Sequence, residues 1–197
     1  MNNKLLIVID VQNDFITGAL KNPLAEAKIP NIVKKIKEHD GNVIATHDTH
    51  FNELQVKTAW PPEDHAMVYE DTLEGKLLPV PHCIKLSEGW EIQKDVLEAL
   101  REKNLPSNHH FFGIDKYTFG YINWKKYFDD GGFKFDEIEL CGFVTSICVM
   151  ANAVILRALY PNMKITVDAN CVADITEEGQ KAALTVLKAQ QINVIGE

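Results

Sequence analysis

Three residues far apart in the chain carry the groups that nucleophilic catalysis needs: Asp10, Lys116 and Cys148. Cys148 follows a strand and a turn in "CGFVTSICV" and begins a helical pattern, where the positive end of the helix dipole favours a thiolate. In such a set Asp10 accepts the thiol proton, and Lys116 stabilises the thiolate and orients the acid. The protonated acid then returns its proton to a leaving amine. Each residue also has a plain alternative. Cys148 is then a packed core thiol, Asp10 caps a loop, and Lys116 pairs with Asp115 or a surface acid. Cys141, inside the strand, reads as core.

A second group lies in "HDTH", where Asp48 and His50 are two apart after a strand and so point the same way. Oxygen and nitrogen ligands at this spacing suit a divalent metal such as Zn, Mn or Fe, with a third ligand from elsewhere and open positions for water. His82, in "PVPHC", is the leading third ligand, and Glu63 or His65 is available to supply another. The alternative is a loop of solvated polar groups. His39, His109 and His110 read as structural or exposed.

The elements that must position these residues follow from hydrophobic pattern. Apolar runs at 4–10, 42–46, 110–115, 137–143, 164–168 and 192–196 read as six strands. Helical spacing appears over 91–103, 148–160 and 177–190. The strands are continuously apolar rather than alternating, which marks a parallel sheet covered on both faces. The expected fold is α/β, a three-layer α/β/α sandwich with a mainly parallel six-stranded sheet. Ligands in such folds lie beyond the carboxyl ends of the strands. Asp10, His47 to His50, Asp115, Lys116 and Cys148 all fall there. The stretch 51–90 is long for a connection and carries "WPP" and "PVP", so it is expected to be a lid or a subunit contact.

A chain of 197 residues with 46% hydrophobic and 24% charged residues is expected to form one domain over 1–197. A net charge of -8 without a basic cluster argues against nucleic acid or an anionic membrane as partner, and leaves a small molecule. The four cysteines form no C-x-x-C pair and are expected to be free thiols. The longest oily run is broken by Asn152 and Arg157, and the start is a poor secretory signal, so a cytoplasmic location is expected.

Together these residues resemble the isochorismatase-like cysteine hydrolases, the superfamily that includes nicotinamidases, over nearly the whole chain. "VIDVQNDF" is similar to the opening motif and "THDTH" to the metal motif. "PHCIKLSEGWEI" resembles the segment with a further metal histidine, "IDKYTFGY" the lysine segment, and "CGFVTSICV" the Gly-x-x-Thr-x-x-Cys-Val signature. The resemblance implies Asp10, Lys116 and Cys148 as the catalytic set and Asp48, His50 and His82 as metal ligands, zinc first. Phe15 is implied in the substrate pocket, and the backbone N–H groups of Val144 and Cys148 in an oxyanion hole. It further implies a small amide substrate, a thioester on Cys148, release of ammonia or an amine, and a homo-oligomer, dimer or tetramer. A cis peptide is expected between Val144 and Thr145.

Departures from the pattern bear on the substrate. Pro79 stands where nicotinamidases carry a Trp that stacks on the pyridine ring, which leaves the amide unassigned. Leu86 and Ser87 replace a Gly-Thr pair, and Ser146 replaces a common Asp. Residues 52–68 read as an insertion, with Trp60 available either to replace the missing aromatic or to pack on a neighbouring subunit. Two rival readings keep the fold. In one, metal-activated water attacks directly and Cys148 is a bystander. In the other, the chain is a non-catalytic binding or scaffold protein; a redox-sensing thiol protein is a third, separate reading.

Overall fold

After Lys4, the side chains on both faces of the first strand, β1 (Lys4–Ile9), are apolar, so it must be covered from both sides. Leu5, Ile7 and Ile9 enter one core, and Leu6 and Val8 enter the other. In the computed structural model, which describes residues 3–58, 67–104 and 113–197, this double covering organises the molecule. The remaining strands are β2 (Asn42–Asp48), β3 (Ile114–Lys116), β4 (Glu137–Phe143), β5 (Lys164–Ala173) and β6 (Asn193–Ile195). They form one sheet in the order β3-β2-β1-β4-β5-β6, and every pairing is parallel. All six expected strands are present. β5 runs five residues past its expected end, and the part of 110–115 before residue 113 lies outside the described residues.

The helices are α1 (Pro23–Glu26), α2 (Ile29–Glu38), α3 (Glu53–Thr58), α4 (Leu73–Leu77), α5 (Lys94–Asn104), α6 (Trp124–Asp130), α7 (Met150–Leu159) and α8 (Glu177–Ala189). Ile32 and Ile36 of α2 and Val96 and Leu100 of α5 close one core. Trp124 and Phe128 of α6, Leu156 of α7 and Leu184 and Leu187 of α8 close the other. The three expected helices are present, the first two with later starts. Ile92 pairs with Gln12 in an antiparallel bridge, and α5 begins two residues later, where Gln93 Oε1 accepts from the N–H groups of Asp95 and Val96. α8 starts at Glu177, as expected, and is capped by Thr176, whose hydroxyl accepts from the Gly179 N–H at 3.0 Å. None of the described helices is long and apolar enough to cross a membrane.

The strand order reverses direction between β1 and β4. In an open parallel sheet this reversal leaves a crevice beyond the carboxyl ends of the two strands, because their connections depart to opposite faces. Asp10 leaves β1 at that crevice and the turn to Cys148 leaves β4 there. The two strands approach closely at Gly142, whose φ is 112° and where an added Cβ would meet the Ile9 carbonyl oxygen at 2.0 Å. Only glycine fits there.

The cis peptide lies at Phe143–Val144, one bond before the expected Val144–Thr145. The reason is where the helical turn starts. The Val144 carbonyl already accepts from the N–H groups of Ile147 and Val149, both at 3.1 Å. The 144–145 peptide therefore belongs to the π-helical turn Thr145–Val149 that runs into α7.

Candidate active site and adjoining metal cluster

Three strand ends deliver the catalytic candidates. Asp10 follows β1 with φ 49°, in the left-handed region that Asp tolerates better than most residues. Lys116 is the last residue of β3, and Cys148 sits in the π-helical turn after β4. All three are buried. Lys116 Nζ lies 2.7 Å from Asp10 Oδ2, 3.1 Å from Asp48 Oδ1 and 3.5 Å from Cys148 Sγ. Asp10 Oδ1 accepts from the Thr46 hydroxyl at 2.6 Å, and the same hydroxyl accepts from the Asp10 N–H at 3.2 Å. The structure thus brings Asp10 together with two residues that lie more than a hundred positions from it in the sequence.

The electrostatics differ from the helix-dipole expectation. Burial pushes the Cys148 thiol well above its usual range; the Lys116 ammonium opposes this, while Asp10 and Asp48 add to it. Burial in a dry site, with one cation facing two carboxylates, outweighs a helix terminus and favours the thiol over the thiolate. Burial also raises Asp10 against the pull of Lys116. Burial works against the charged form of Lys116, yet the two carboxylates hold it well above its ordinary value. Asp48 goes the other way, since Lys116 and two histidines outweigh its burial and keep it ionised.

Asp48 joins this set to a second one. Its Oδ1 takes Lys116, while its Oδ2 lies 3.2 Å from His50 Nε2 and 3.7 Å from His82 Nε2. Glu74 approaches from α4, with Oε1 3.5 Å from His82 Nε2 and Oε2 3.8 Å from His50 Nε2. The ligand atoms of Asp48, His50, Glu74 and His82 all lie within 4.8 Å of one another. His82 Nδ1 is 2.8 Å from the Val80 carbonyl, which only accepts, so Nδ1 carries a proton and Nε2 faces the cluster. Burial lowers the His82 pKa, but hydrogen bonds to Asp48 and Glu74 more than offset it and push it up to about 10. His50 Nε2 is buried with no hydrogen-bond partner among the described residues. Two imidazole nitrogens and two carboxylates around one point, with a buried nitrogen left unpaired, fit a divalent cation.

The loop after β1 holds this cluster in register. Gln12 Oε1 accepts from the Asp48 N–H at 2.8 Å, and its Nε2 donates to the Asp48 and Trp90 carbonyls. Asp14 Oδ2 accepts from the Cys83 N–H at 2.7 Å, next to His82. Trp90 stacks on His47 at 4.5 Å, and its Nε1 donates to the Thr49 hydroxyl. His47 is thereby a support and not a ligand.

A cavity of about 460 Å³ opens onto both sets and is lined by Cys148, Asp48, His82, Glu74, Phe15 and Val144 among others. Phe15 packs edge-on to His82 at 5.8 Å. Asn152 fixes the wall: its Oδ1 accepts from Tyr121 N–H and Trp124 Nε1, and its Nδ2 donates to the Cys148 and Phe119 carbonyls. Pro79 is exposed and lies off the cavity, whereas Leu77 and Leu78 line it. Glu74 was not singled out in the sequence. Trp60, Glu63, His65, His109 and His110 lie outside the described residues. His39 borders a different depression, at the starts of β1 and β4. Cys141 is core, as expected, and all four cysteines are free and buried.

The isochorismatase domain family model matches residues 4–196. A nicotinamidase of Saccharomyces cerevisiae is 25% identical over 218 residues, covering 98% of this chain and 99% of that protein. The crystal structure of a nicotinamidase/pyrazinamidase of Bacillus subtilis superposes with a TM-score of 0.76 at 25% identity, covering 100% of both chains. That of a pyrazinamidase of Pyrococcus horikoshii in complex with zinc gives a TM-score of 0.64 at 21% identity, covering 99% of each.

Proposed function

The chain belongs to the isochorismatase family, and on that premise we propose that it is a cysteine amidohydrolase cleaving a small carboxamide through a thioester on Cys148. The observation that carries this is the single ammonium of Lys116 touching Asp10, Asp48 and Cys148 Sγ at the wall of a cavity. Relatives that act on nicotinamide and pyrazinamide support the amide as substrate class.

In the reaction, Asp10 takes the proton from Cys148 Sγ as the sulfur bonds to the amide carbon. Negative charge develops on the carbonyl oxygen, to which the backbone N–H groups of Val144 and Cys148 are assigned as donors. The C–N bond breaks as Asp10 returns its proton to the nitrogen, and ammonia or an amine departs. A water then adds to the thioester carbon, giving its proton to Asp10. The C–S bond breaks, the proton returns to sulfur, and a carboxylic acid leaves. Lys116 keeps its charge throughout, orienting Asp10 and balancing the thiolate. Phe15 closes one side of the cavity.

Asp48, His50, Glu74 and His82 would hold one divalent cation, zinc with manganese or iron as alternatives. When bound, it supplies a Lewis acid to a lone-pair group of the substrate or to water. The test is a screen of small primary amides, nicotinamide included, against metal-replete protein, reading ammonia release together with a trapped acyl adduct on Cys148 by mass spectrometry. Release with the adduct on Cys148 is expected. No release from any amide overturns the proposal.

A further inference from the structure

The cavity is built in two unlike halves, and the outer half carries information about the substrate. Its floor holds Cys148 with Asp48, Glu74 and His82, while its mouth is formed by Leu20, Leu77, Leu78, Phe119, Ile147 and Ile175. Several of these apolar side chains project into solvent: Leu77 is 77% exposed, Ile175 66% and Phe119 45%. They come from three separate places, α4, the loop after β3 and the loop after β5, and converge on one opening. A single exposed leucine needs no explanation, but apolar residues from separate segments around one opening mark a surface built to be covered.

Charge narrows the chemistry. Lys21, exposed, is the one cationic side chain at the rim, while on the floor His82 is already engaged by Asp48 and Glu74, which favour its charge. The protein as a whole carries a net charge of -8. Besides Lys21, no lining residue at the mouth offers a cationic partner to a carboxylate at the far end of the acyl group. A volume of about 460 Å³ also lies within the range of clefts that enclose drug-sized ligands, ~300 to 1,000 Å³.

We propose that the site selects a primary carboxamide whose acyl group is uncharged and apolar and extends beyond a short chain or single ring, its far end resting against Leu77, Phe119 and Ile175 at the mouth. This rests on the amidohydrolase reading above and adds the substrate's shape to it. The carboxamide reaches Cys148 on the floor while the tail displaces water from the exposed apolar rim. Each methylene buried there raises kcat/KM about fourfold, the equivalent of ~0.8 kcal/mol. The gain stops once the tail passes the rim.

The experiment measures kcat/KM for ammonia release by metal-replete protein on straight-chain primary amides from acetamide to octanamide, with nicotinamide, benzamide and 4-butylbenzamide alongside. An arm with an ω-carboxylate on a chain of equal length tests Lys21. The expected result is a rise of several-fold per methylene to a plateau, 4-butylbenzamide ahead of benzamide, and the ω-carboxylate arm at least tenfold behind its neutral match. In L77D and I175D, both at exposed positions, the octanamide-to-acetamide ratio should fall at least tenfold. A flat or falling series with short amides hydrolysed, or an ω-carboxylate preference, overturns this inference and leaves the amidohydrolase reading standing. Failure to hydrolyse any amide instead overturns that reading, and this one with it. The wild-type series decides the matter even if a variant fails to fold.

Discussion

The two halves of the site are held by different means. The cysteine set stands on strand ends: β1 supplies Asp10, β3 supplies Lys116, and the turn out of β4 supplies Cys148. The metal cluster has only one foot on the sheet. Asp48 ends β2 and His50 follows it, but Glu74 comes from the five-residue α4 and His82 from the loop beyond. Neighbouring strands are fixed to each other by ladders of backbone hydrogen bonds, so the first half is preorganised by the same forces that make the fold. The second depends on a few scattered hydrogen bonds, from side chains and backbone, that tie residues 82–91 to residues 12–14 and to His50. Binding of a cation and attack by the thiol therefore respond to different substitutions, with Asp48 shared between them.

The largest expected effect falls on the cysteine half. Cys148→Ala should lower the rate of amide hydrolysis by on the order of 10⁴ or more, because covalent catalysis is removed and only binding and polarisation remain. Metal affinity should stay unchanged, since Sγ is not among the four converging ligand atoms. Ammonia release and a metal-competition titration read the two separately. Activity that survives the change would favour direct attack by metal-activated water.

Lys116→Met tests the joint between the halves. Lys116 is buried between Asp10 and Asp48. Removing its charge leaves two carboxylates uncompensated, and breaking a buried pair in this way costs about 3 to 5 kcal/mol. A denaturant midpoint should fall accordingly, and a partial recovery on adding zinc would show that the cation takes over some of the compensation at Asp48. A variant as stable as the parent would mean that the ammonium does not hold the halves together.

Glu74→Gln acts on the metal half alone. The amide keeps the shape and loses the charge, so affinity for zinc should drop at least 100-fold, beyond the ~10- to 100-fold typical of groups one step removed from a metal. The alkylation rate of Cys148 should change less. An unchanged affinity would leave Asp48, His50 and His82 as the whole ligand set.

The same contrast governs what the sequence makes legible. A strand in a doubly covered sheet is a continuous apolar run, and the first polar residue after it marks where the sheet ends. Asp10, Asp48 and Lys116 are visible for that reason. Glu74 has no such marker. It stands among Glu70 and Asp71, and what turns it inward is the cap on α4, where the Thr72 hydroxyl accepts from the Gly75 N–H at 2.9 Å. Thr72 preceding a short helical turn was readable, but its direction relative to His82 depends on tertiary packing. The Cys148 pKa is misread from sequence for a related reason, since local position shows the helix terminus and hides the two carboxylates brought from other strands. Ile29, Ile32 and Ile36 have helical spacing in the sequence, and they form the buried stripe of α2.

The smallest expected effect comes from Asp14→Asn, and it probes the comparison most directly. Asp14 touches neither the thiol nor the metal-ligating atoms. Its carboxylate accepts from the N–H groups of Cys83 at 2.7 Å and Ala19 at 2.9 Å. It packs where Gly89 leaves room, an added Cβ there meeting Asp14 Oδ2 at 2.1 Å. An amide in its place keeps one acceptor and turns an NH₂ toward the other N–H. One charge-assisted hydrogen bond is lost on the segment carrying His82, while Asp48 and His50 stay on β2 and its extension. Zinc affinity should fall about tenfold, at the low end for a group one step removed from a metal. The alkylation rate of Cys148 should change far less, because Lys116, which touches its sulfur, stands on β3. If both readouts moved together, the halves would be one mechanical unit and the division between strand-held and loop-held residues would fail. If neither moved, Gln12 and Trp90 would suffice to fix the loop.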